Sequence, residues 1–431
     1  LREGTQIFLQ FYPHFLSFVD QFNSMKKVVI LAVLAAFSIP LIAQETSQRI
    51  TQDIQFLSSD QLEGRETGSP GAAIAAGYIA SRFQSLGLNG ISNDFYFQEF
   101  AYRPRLNPHS TKTDTTQPGK TARNVVGYLD NKAATTIVIG AHYDHLGHGG
   151  EGSLHAAKDG QIHNGADDNA SGVALVLYLA DQLSAEKYKK SNYLFIAFSG
   201  EEKGLLGSNY FAKNPLLDLN TVNYMLNFDM VGRFHEDKGL AVNGVGTASE
   251  WKTIIEKSNK NSLKLIQSES GIGPSDHTSF YLQDIPVLHF FTGQHEDYHK
   301  PSDDADKINY DGVEIIGGLV EEIIAESLFQ DRLTFQKTKE EKNSTPRFTV
   351  TLGVMPDYLY DGDGMRIDGI IEDRPAQKAG LQKGDVVVQL GDISVDGMQT
   401  YMEALSKFKK GDQTKVKIKR DKEIIEADIK F

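Results

Sequence analysis

Histidines, aspartates and an adjacent glutamate pair recur in short polar segments through the middle of this chain. They read Gly140–Gly147 (G-A-H-Y-D-H-L-G), Asn164–Gly172 (N-G-A-D-D-N-A-S-G), Ser199–Gly204 (S-G-E-E-K-G), Asn227–Arg233 (N-F-D-M-V-G-R) and Tyr298–Asp303 (Y-H-K-P-S-D). Imidazole and carboxylate are the donors left to a divalent ion when thiolate is missing, and the chain has no cysteine. The set suggests a pair of metal ions with a general base beside it.

Each segment has a plainer reading to set against the chemical one. The run T-T-I-V-I-G-A places His142 just past a buried strand. Residues two apart on an extended chain face the same side. The Asp144 carboxylate can therefore reach one ring nitrogen of His142 and turn the other toward a metal. A surface His-Asp pair at a strand end would look the same. Asp167, Asp168 and Asn169 precede an apolar helical run, where one such residue suffices as a cap. Three suggest ligation, and a carboxylate with two oxygens can bridge two cations.

Glu201 and Glu202 follow Y-L-F-I-A-F. Adjacent carboxylates repel unless a cation is near; one can bind metal while its neighbour serves as base. A solvated helix N-terminus, which favours negative charge, is the alternative. Asp229 ends another apolar run, where an unpaired carboxylate is costly to bury. His299 lies in a polar loop, but His145, His148, His155, His163, His277, His289 and His295 are also available. Spacing does not choose between His299 and His295.

These segments need a scaffold. Strand-like runs occur at Asn124–Tyr128, Thr136–Ile139, Tyr193–Phe198, Tyr224–Phe228, Gly239–Val242 and Val287–Phe291. Helical patterns at Ser171–Leu183, Gly207–Lys213, Ala248–Lys260 and Asp311–Leu328 lie among them, after a helix, Gly-rich loop and helix over Gln48–Leu86. That alternation predicts an α/β fold with a parallel or mixed sheet. Such sheets present ligands beyond the carboxyl ends of their strands. Residues 331–346 are charged and polar and read as a linker. Beyond them, short alternating runs (Phe348–Leu352, Gly369–Ile371, Asp385–Leu390, Lys415–Lys419, Glu423–Ile429) predict a small β-rich domain over 347–431, with helical patches near Pro375–Ala379 and Met398–Lys407.

A length of 431 residues suits two domains, and a net charge of −13 argues against nucleic acid as a partner. Met25-Lys26-Lys27 opens a basic stretch, Val28–Ile42 is almost continuously apolar, and Ala43-Gln44 follows. Residues 25–43 read as a secretory signal cleaved near Ala43, which implies export to a periplasmic or extracellular space. The apolar run is short for a span, so no stable membrane segment is expected after its removal. Leu1–Ser24 precedes the first methionine and is expected not to belong to the mature protein.

The order H-Y-D, G-A-D-D-N-A-S-G, S-G-E-E-x-G-L-x-G-S, N-x-D-M-V-G-R and Y-H-x-x-x-D-D resembles the co-catalytic di-zinc aminopeptidases of the zinc-peptidase superfamily. That superfamily also holds glutaminyl cyclases, glutamate carboxypeptidases and the transferrin receptor. Phe56–Gly71 (F-L-S-S-D-Q-L-E-G-R-E-T-G-S-P-G) resembles the same family's leading segment. The likeness covers about Gln48 to Leu328 and implies a three-layer α/β/α peptidase domain over 46–330 with two zinc ions. By resemblance Asp168, rather than Asp167, bridges the ions, and its bond to Asn169 is cis, a rare geometry without proline. His142 and Asp229 complete one zinc, Glu202 and His299 the other. Glu201 is the general base. Asp144 partners His142, and Asp276, in P-S-D-H, is a further supporting residue. The implied substrates are peptides cut at their N-terminal residue. A glutaminyl cyclase, typically with one zinc, and a carboxypeptidase are the alternatives within the superfamily. A receptor-like relative is disfavoured because the ligand positions and the base are all present.

Gly369–Asp392 (G-I-I-E-D-R-P-A-Q-K-A-G-L-Q-K-G-D-V-V-V-Q-L-G-D) resembles the core of PDZ domains, with Leu352-Gly353-Val354 where their carboxylate-binding loop lies. The resemblance implies a peptide or protein C-terminus as partner; a domain that only packs on its neighbour is the alternative. Asp361–Gly364 (D-G-D-G) lacks the full acidic pattern of a calcium loop and reads as a turn.

Overall fold

The apolar runs form two separate sheets in the computed structural model. It describes residues 47–90, 95–103, 118–338 apart from 151, 156 and 158, and 350–431 apart from 358, 359, 361 and 371–373. The expected signal and upstream stretch, residues 339–349 and Asp361 lie outside the described residues.

The larger sheet holds β1 (Phe97–Tyr102), β2 (Lys120–Leu129), β3 (Thr136–His142), β4 (Asn192–Phe198), β5 (Val222–Phe228), β6 (Leu240–Asn243), β7 (Leu265–Ser268) and β8 (Val287–Phe291) in the order β1-β2-β4-β3-β5-β8-β6-β7. Its centre is parallel: β4 on β3, β3 on β5 and β5 on β8. The flanks at β1–β2, β2–β4 and β6–β8 are antiparallel, which makes the sheet mixed. Every residue of β3, β4, β5 and β8 is buried, so their runs are mostly apolar rather than alternating.

Helices cover both faces. One core joins Leu226, Phe228, Leu288 and Phe290 to Ile54 of α1 (residues 47–57), Ile79 of α2 (Pro70–Ser85), Leu175 of α3 (Gly172–Gln182), Ile255 of α5 (Trp251–Ser258) and Val320 of α7 (Tyr310–Ser327). The other joins Val138, Ile196, Met225 and Val287 to Phe211 of α4 (Leu206–Lys213) and Phe280 of α6 (His277–Tyr281). This is the α/β/α layering that the alternation of runs predicts. Strands β1 and β7 and the helix α6 were not legible. The two strands are short edges with exposed residues, and five residues are too few to show a helical period.

The second sheet is antiparallel. It holds β9 (Val354–Pro356), β10 (Met365–Ile370), β11 (Val386–Leu390), β12 (Ile393–Ser394), β13 (Gln413–Arg420) and β14 (Glu423–Lys430), with α8 (Pro375–Lys378) and α9 (Met398–Ser406). Leu352, Ile367, Val387, Leu390, Ala404, Val416 and Ile418 form its own core. One expectation is corrected: Val350–Leu352 is not strand, and the strand begins at Val354. Gly353 turns the chain there at φ 76°, with the Arg374 side chain 2.0 Å from where a Cβ would stand.

Candidate metal centre

Parallel strands deliver their carboxyl ends to one edge of the sheet, and the polar segments gather there. His142 is the last residue of β3, Asp229 directly follows β5, and Glu201 and Glu202 follow β4. Asp168 sits in a wide turn before α3, and its bond to Asn169 is cis. His299 lies in the loop after β8 at φ 55°.

Asn169 accepts the Gly172 amide at 3.0 Å, which caps α3 and leaves both aspartates to other partners. Its side-chain amide donates to the Phe228 carbonyl at 2.9 Å, and its oxygen also accepts the Met230 amide at 3.2 Å. These bonds flank Asp229 and draw the turn onto the end of β5. Only glycine fits at position 172, because a Cβ there would stand 2.6 Å from the Phe228 carbonyl oxygen.

The donors converge in two groups that share Asp168. His142 Nε2 lies 3.3 Å from Asp168 Oδ1 and 3.4 Å from Asp229 Oδ1. His299 Nε2 lies 3.2 Å from Asp168 Oδ2 and 3.4 Å from Glu202 Oε2. Ligands at about 2.0–2.1 Å around a tetrahedral zinc ion stand about 3.3 Å apart, so all four separations suit that ion. His145 also meets this second group, with Nδ1 2.8 Å from Glu202 Oε1 and 3.8 Å from Asp168 Oδ2.

The electrostatics separate the neighbouring glutamates. Burial raises the Glu201 carboxyl well above its usual range; His142 opposes this, while Asp229, Glu202 and Asp276 add to it. Burial also works against the charge of Glu202, but His299 and His145 hold its carboxyl well below the usual range. Asp229 is likewise lowered, with His142 outweighing burial. Burial disfavours charge on His142 and His299, yet carboxylates raise both: chiefly Asp229 for His142 and Glu202 for His299. Burial lifts buried Asp276 to about 7, opposed by His142.

Asp144 departs from its expected contact. His142 Nδ1 faces the Asp144 backbone oxygen at 3.1 Å, whereas the carboxylate is 3.9 Å away. That carboxylate instead accepts the Thr67 hydroxyl at 2.7 Å and the Glu201 amide at 3.1 Å. It therefore ties the segment carrying the glutamates to the leading segment. Asp167 turns away from the centre: it accepts the Gly232 amide at 2.6 Å and pairs with His295 Nε2 at 3.0 Å. His295 thus supports the turn, whereas His299 faces Asp168 and Glu202.

Two supporting residues carry no sequence signal as site residues. Arg65 is fully buried and donates to the carbonyls of Tyr143 (2.8 Å), Asn164 (2.7 Å), Gly165 (2.9 Å) and Leu57, joining the ends of the His142 and Asp168 segments. Burial lowers it to about 10, so it stays charged at neutral pH. Asp303 Oδ2 accepts the backbone amides of both Asp167 and Asp168 at 3.0 Å. An arginine within L-E-G-R and the first aspartate of D-D were visible, but not what they would meet.

Residues 124–324 match the family described as Peptidase family M28, and residues 335–431 match the PDZ domain. The chain thus joins an M28 peptidase region to a PDZ domain. Among similar proteins, Aminopeptidase YwaD of Bacillus subtilis (strain 168) is 29% identical over 245 residues, 52% of this chain and 49% of its own. The Alkaline phosphatase isozyme conversion protein of Escherichia coli (strain K12) is 33% identical over 173 residues, 38% of this chain and 47% of its own. The chain thus spans about half the length of these curated relatives. A Bacillus subtilis zinc aminopeptidase structure, BSAP, aligns with a TM-score of 0.52 at 19% identity, over 65% of this chain and 95% of that one. Porphyromonas gingivalis glutaminyl cyclase aligns at 0.53 and 17%, over 65% and 98%. At such identities the likeness is one of fold, shared by peptidase and cyclase alike.

Proposed function

We propose that this chain is an exported aminopeptidase that holds two zinc ions and hydrolyses N-terminal residues from peptides. The observation that carries the reading is the Asp168 carboxylate, whose Oδ1 faces His142 and Oδ2 faces His299. His142, Asp168 and Asp229 would hold one ion, and Asp168, Glu202 and His299 the other. Bound zinc supplies Lewis acidity that polarises a carbonyl and lowers the pKa of water. Glu201 keeps a partly exposed surface and borders His142, Asp229 and Glu202. Its carboxylate takes the proton of the attacking water as the new C–O bond forms, then gives it to the amine as the C–N bond breaks.

A free α-amine, rather than a C-terminal carboxylate, suits this setting. Three cations near the centre are engaged: Arg65 with carbonyls, Arg233 with Asp297 and Asp303, and Lys203 with Glu66. A substrate carboxylate would have to displace one of these partners to gain an arginine or lysine. Export rests on the basic-then-apolar stretch from Met25 to Ala43; among the described residues no helix is long and apolar enough to cross a membrane. The PDZ domain would take a peptide C-terminus on the amides beside Gly353.

The test pairs zinc counting with aminoacyl anilides, N-acetylated anilides and peptides with an N-terminal glutamine. Two zinc ions per chain and release from the free-amine anilide alone are expected. Cyclisation of the glutaminyl peptide without anilide release would replace this reading with the cyclase.

A further inference from the structure

Two imidazoles approach Glu202, and they do so differently. His299 Nε2 stands 3.4 Å from Oε2, a ligand-to-ligand spacing, whereas His145 Nδ1 stands 2.8 Å from Oε1, a hydrogen-bond length. We propose that His145 is a positioning residue for Glu202: it binds the carboxylate's far oxygen and leaves a single oxygen to face the metal. This rests on the two-zinc reading above.

An ionised carboxylate only accepts hydrogen bonds, so the ring nitrogen facing it must carry the proton. A protonated Nδ1 has no lone pair to offer a metal. The contact therefore assigns His145 to holding Glu202 and not to the donor set. The distance to Asp168 agrees, since 3.8 Å exceeds each of the 3.2–3.4 Å donor separations.

The ring is held from both sides. The His145 amide donates to the Arg65 carbonyl at 3.2 Å, and residue 145 pairs with Glu66 in a short bridge to the leading segment. On the other side the ring lies against Gly165, where a Cβ would stand 2.5 Å from its Cγ and Cδ2. Side chain and backbone are both buried, so the bond to Glu202 is shielded from water and the carboxylate cannot turn freely. Without the bond, Glu202 could swing to offer both oxygens or neither. The first metal group, His142 with Asp229, makes no such contact with His145.

The test is zinc uptake by the full chain at buffered free zinc, read as ions per chain, for wild type, His145→Ala and His145→Asn. The asparagine amide can donate from about the place of Nδ1 but is a poor zinc ligand. In His145→Ala the first zinc should bind as in wild type, and the second about 10–100-fold more weakly, the usual loss for a ligand's hydrogen-bond partner. His145→Asn should restore the second to within a few-fold. Equal loss in both variants would make His145 a ligand and overturn the proposal, as would wild-type uptake in both. Should His145→Ala melt in the cold, His145→Asn alone decides, because a ligand role predicts loss there and a donor role does not. A wild type that takes up fewer than two ions overturns the two-zinc reading itself.

Discussion

The two halves of the centre are built by different means. His142 ends β3 and Asp229 directly follows β5, neighbouring parallel strands whose register pairs Gly140 with Asn227, two residues before each. Backbone hydrogen bonds of the sheet therefore set their spacing. Glu202 and His299 stand on loops. His299 is held by its Nδ1 on the Gly152 carbonyl at 2.8 Å, and Glu202 by His145 at 2.8 Å. The strand half is preorganised by the fold, and the loop half by side-chain bonds that can each be removed singly. Zinc should leave the loop half first as a chelator is added.

The largest expected effect separates chemistry from holding in either half. Glu201→Gln should retain zinc and the fold, while kcat falls about 10²–10⁴-fold, the range for loss of a general base. Zinc per chain and anilide turnover, measured on the same sample, check it. Near-full turnover would remove Glu201 from its role. The next effect tests the join between halves. Asp303 is bonded to the amides of Asp167 and Asp168, so Asp303→Ala should loosen the shared ligand. It should weaken both zinc ions by about 10-fold or more, where His145→Ala weakens one. If Asp303→Ala touched only the second ion, the turn would be held by β5 alone.

This difference in construction also explains what was legible in the sequence. A candidate site residue at a strand end announces itself, because a buried apolar run stops at a carboxylate or imidazole; His142, Glu201, Glu202 and Asp229 all sit so. The strands β3, β4, β5 and β8 were legible for the same reason. Asp167 and Asp168 are chemically alike, and what separates them is distant in the chain: Gly232 and His295 for one, His142 and His299 for the other. Family resemblance could choose between them; residue chemistry could not. His145 lay within H-Y-D-H and was passed over, because its partner comes 57 residues later. Arg65 was hidden for another reason: a buried arginine normally pairs with a carboxylate, and this one serves carbonyls.

The smallest expected effect concerns the protein without metal. Burial raises Asp276 to about 7 and Asp303 to about 6, and Glu201 is raised too. His142 and His299 also lie above their ordinary value, through the carboxylates around them. Each of these groups binds its proton more tightly folded than unfolded. The stability they contribute is complete at low pH and is lost as pH rises through their folded values. Glu202 and Asp229 have lowered values, and their contribution is lost only in acid, below about pH 4. Between pH 5 and 8 the first set decides, so the chelated protein should melt at lower temperature as pH rises. A shift of about 2–4 °C per kcal/mol is the scale for a domain of this size. On the two-zinc proposal zinc should reverse the slope, since His142 and His299 would have to shed their protons to become ligands. Melting curves with chelator and with zinc should therefore diverge as pH rises. Asp276→Asn, which removes one titrating carboxyl on the strand half, should flatten the chelated curve and leave the zinc-bound one nearly unchanged. A chelated protein that grows more stable toward pH 8 would mean that the strand half is not strained by its own carboxylates, and that its preorganisation needs no metal to complete it.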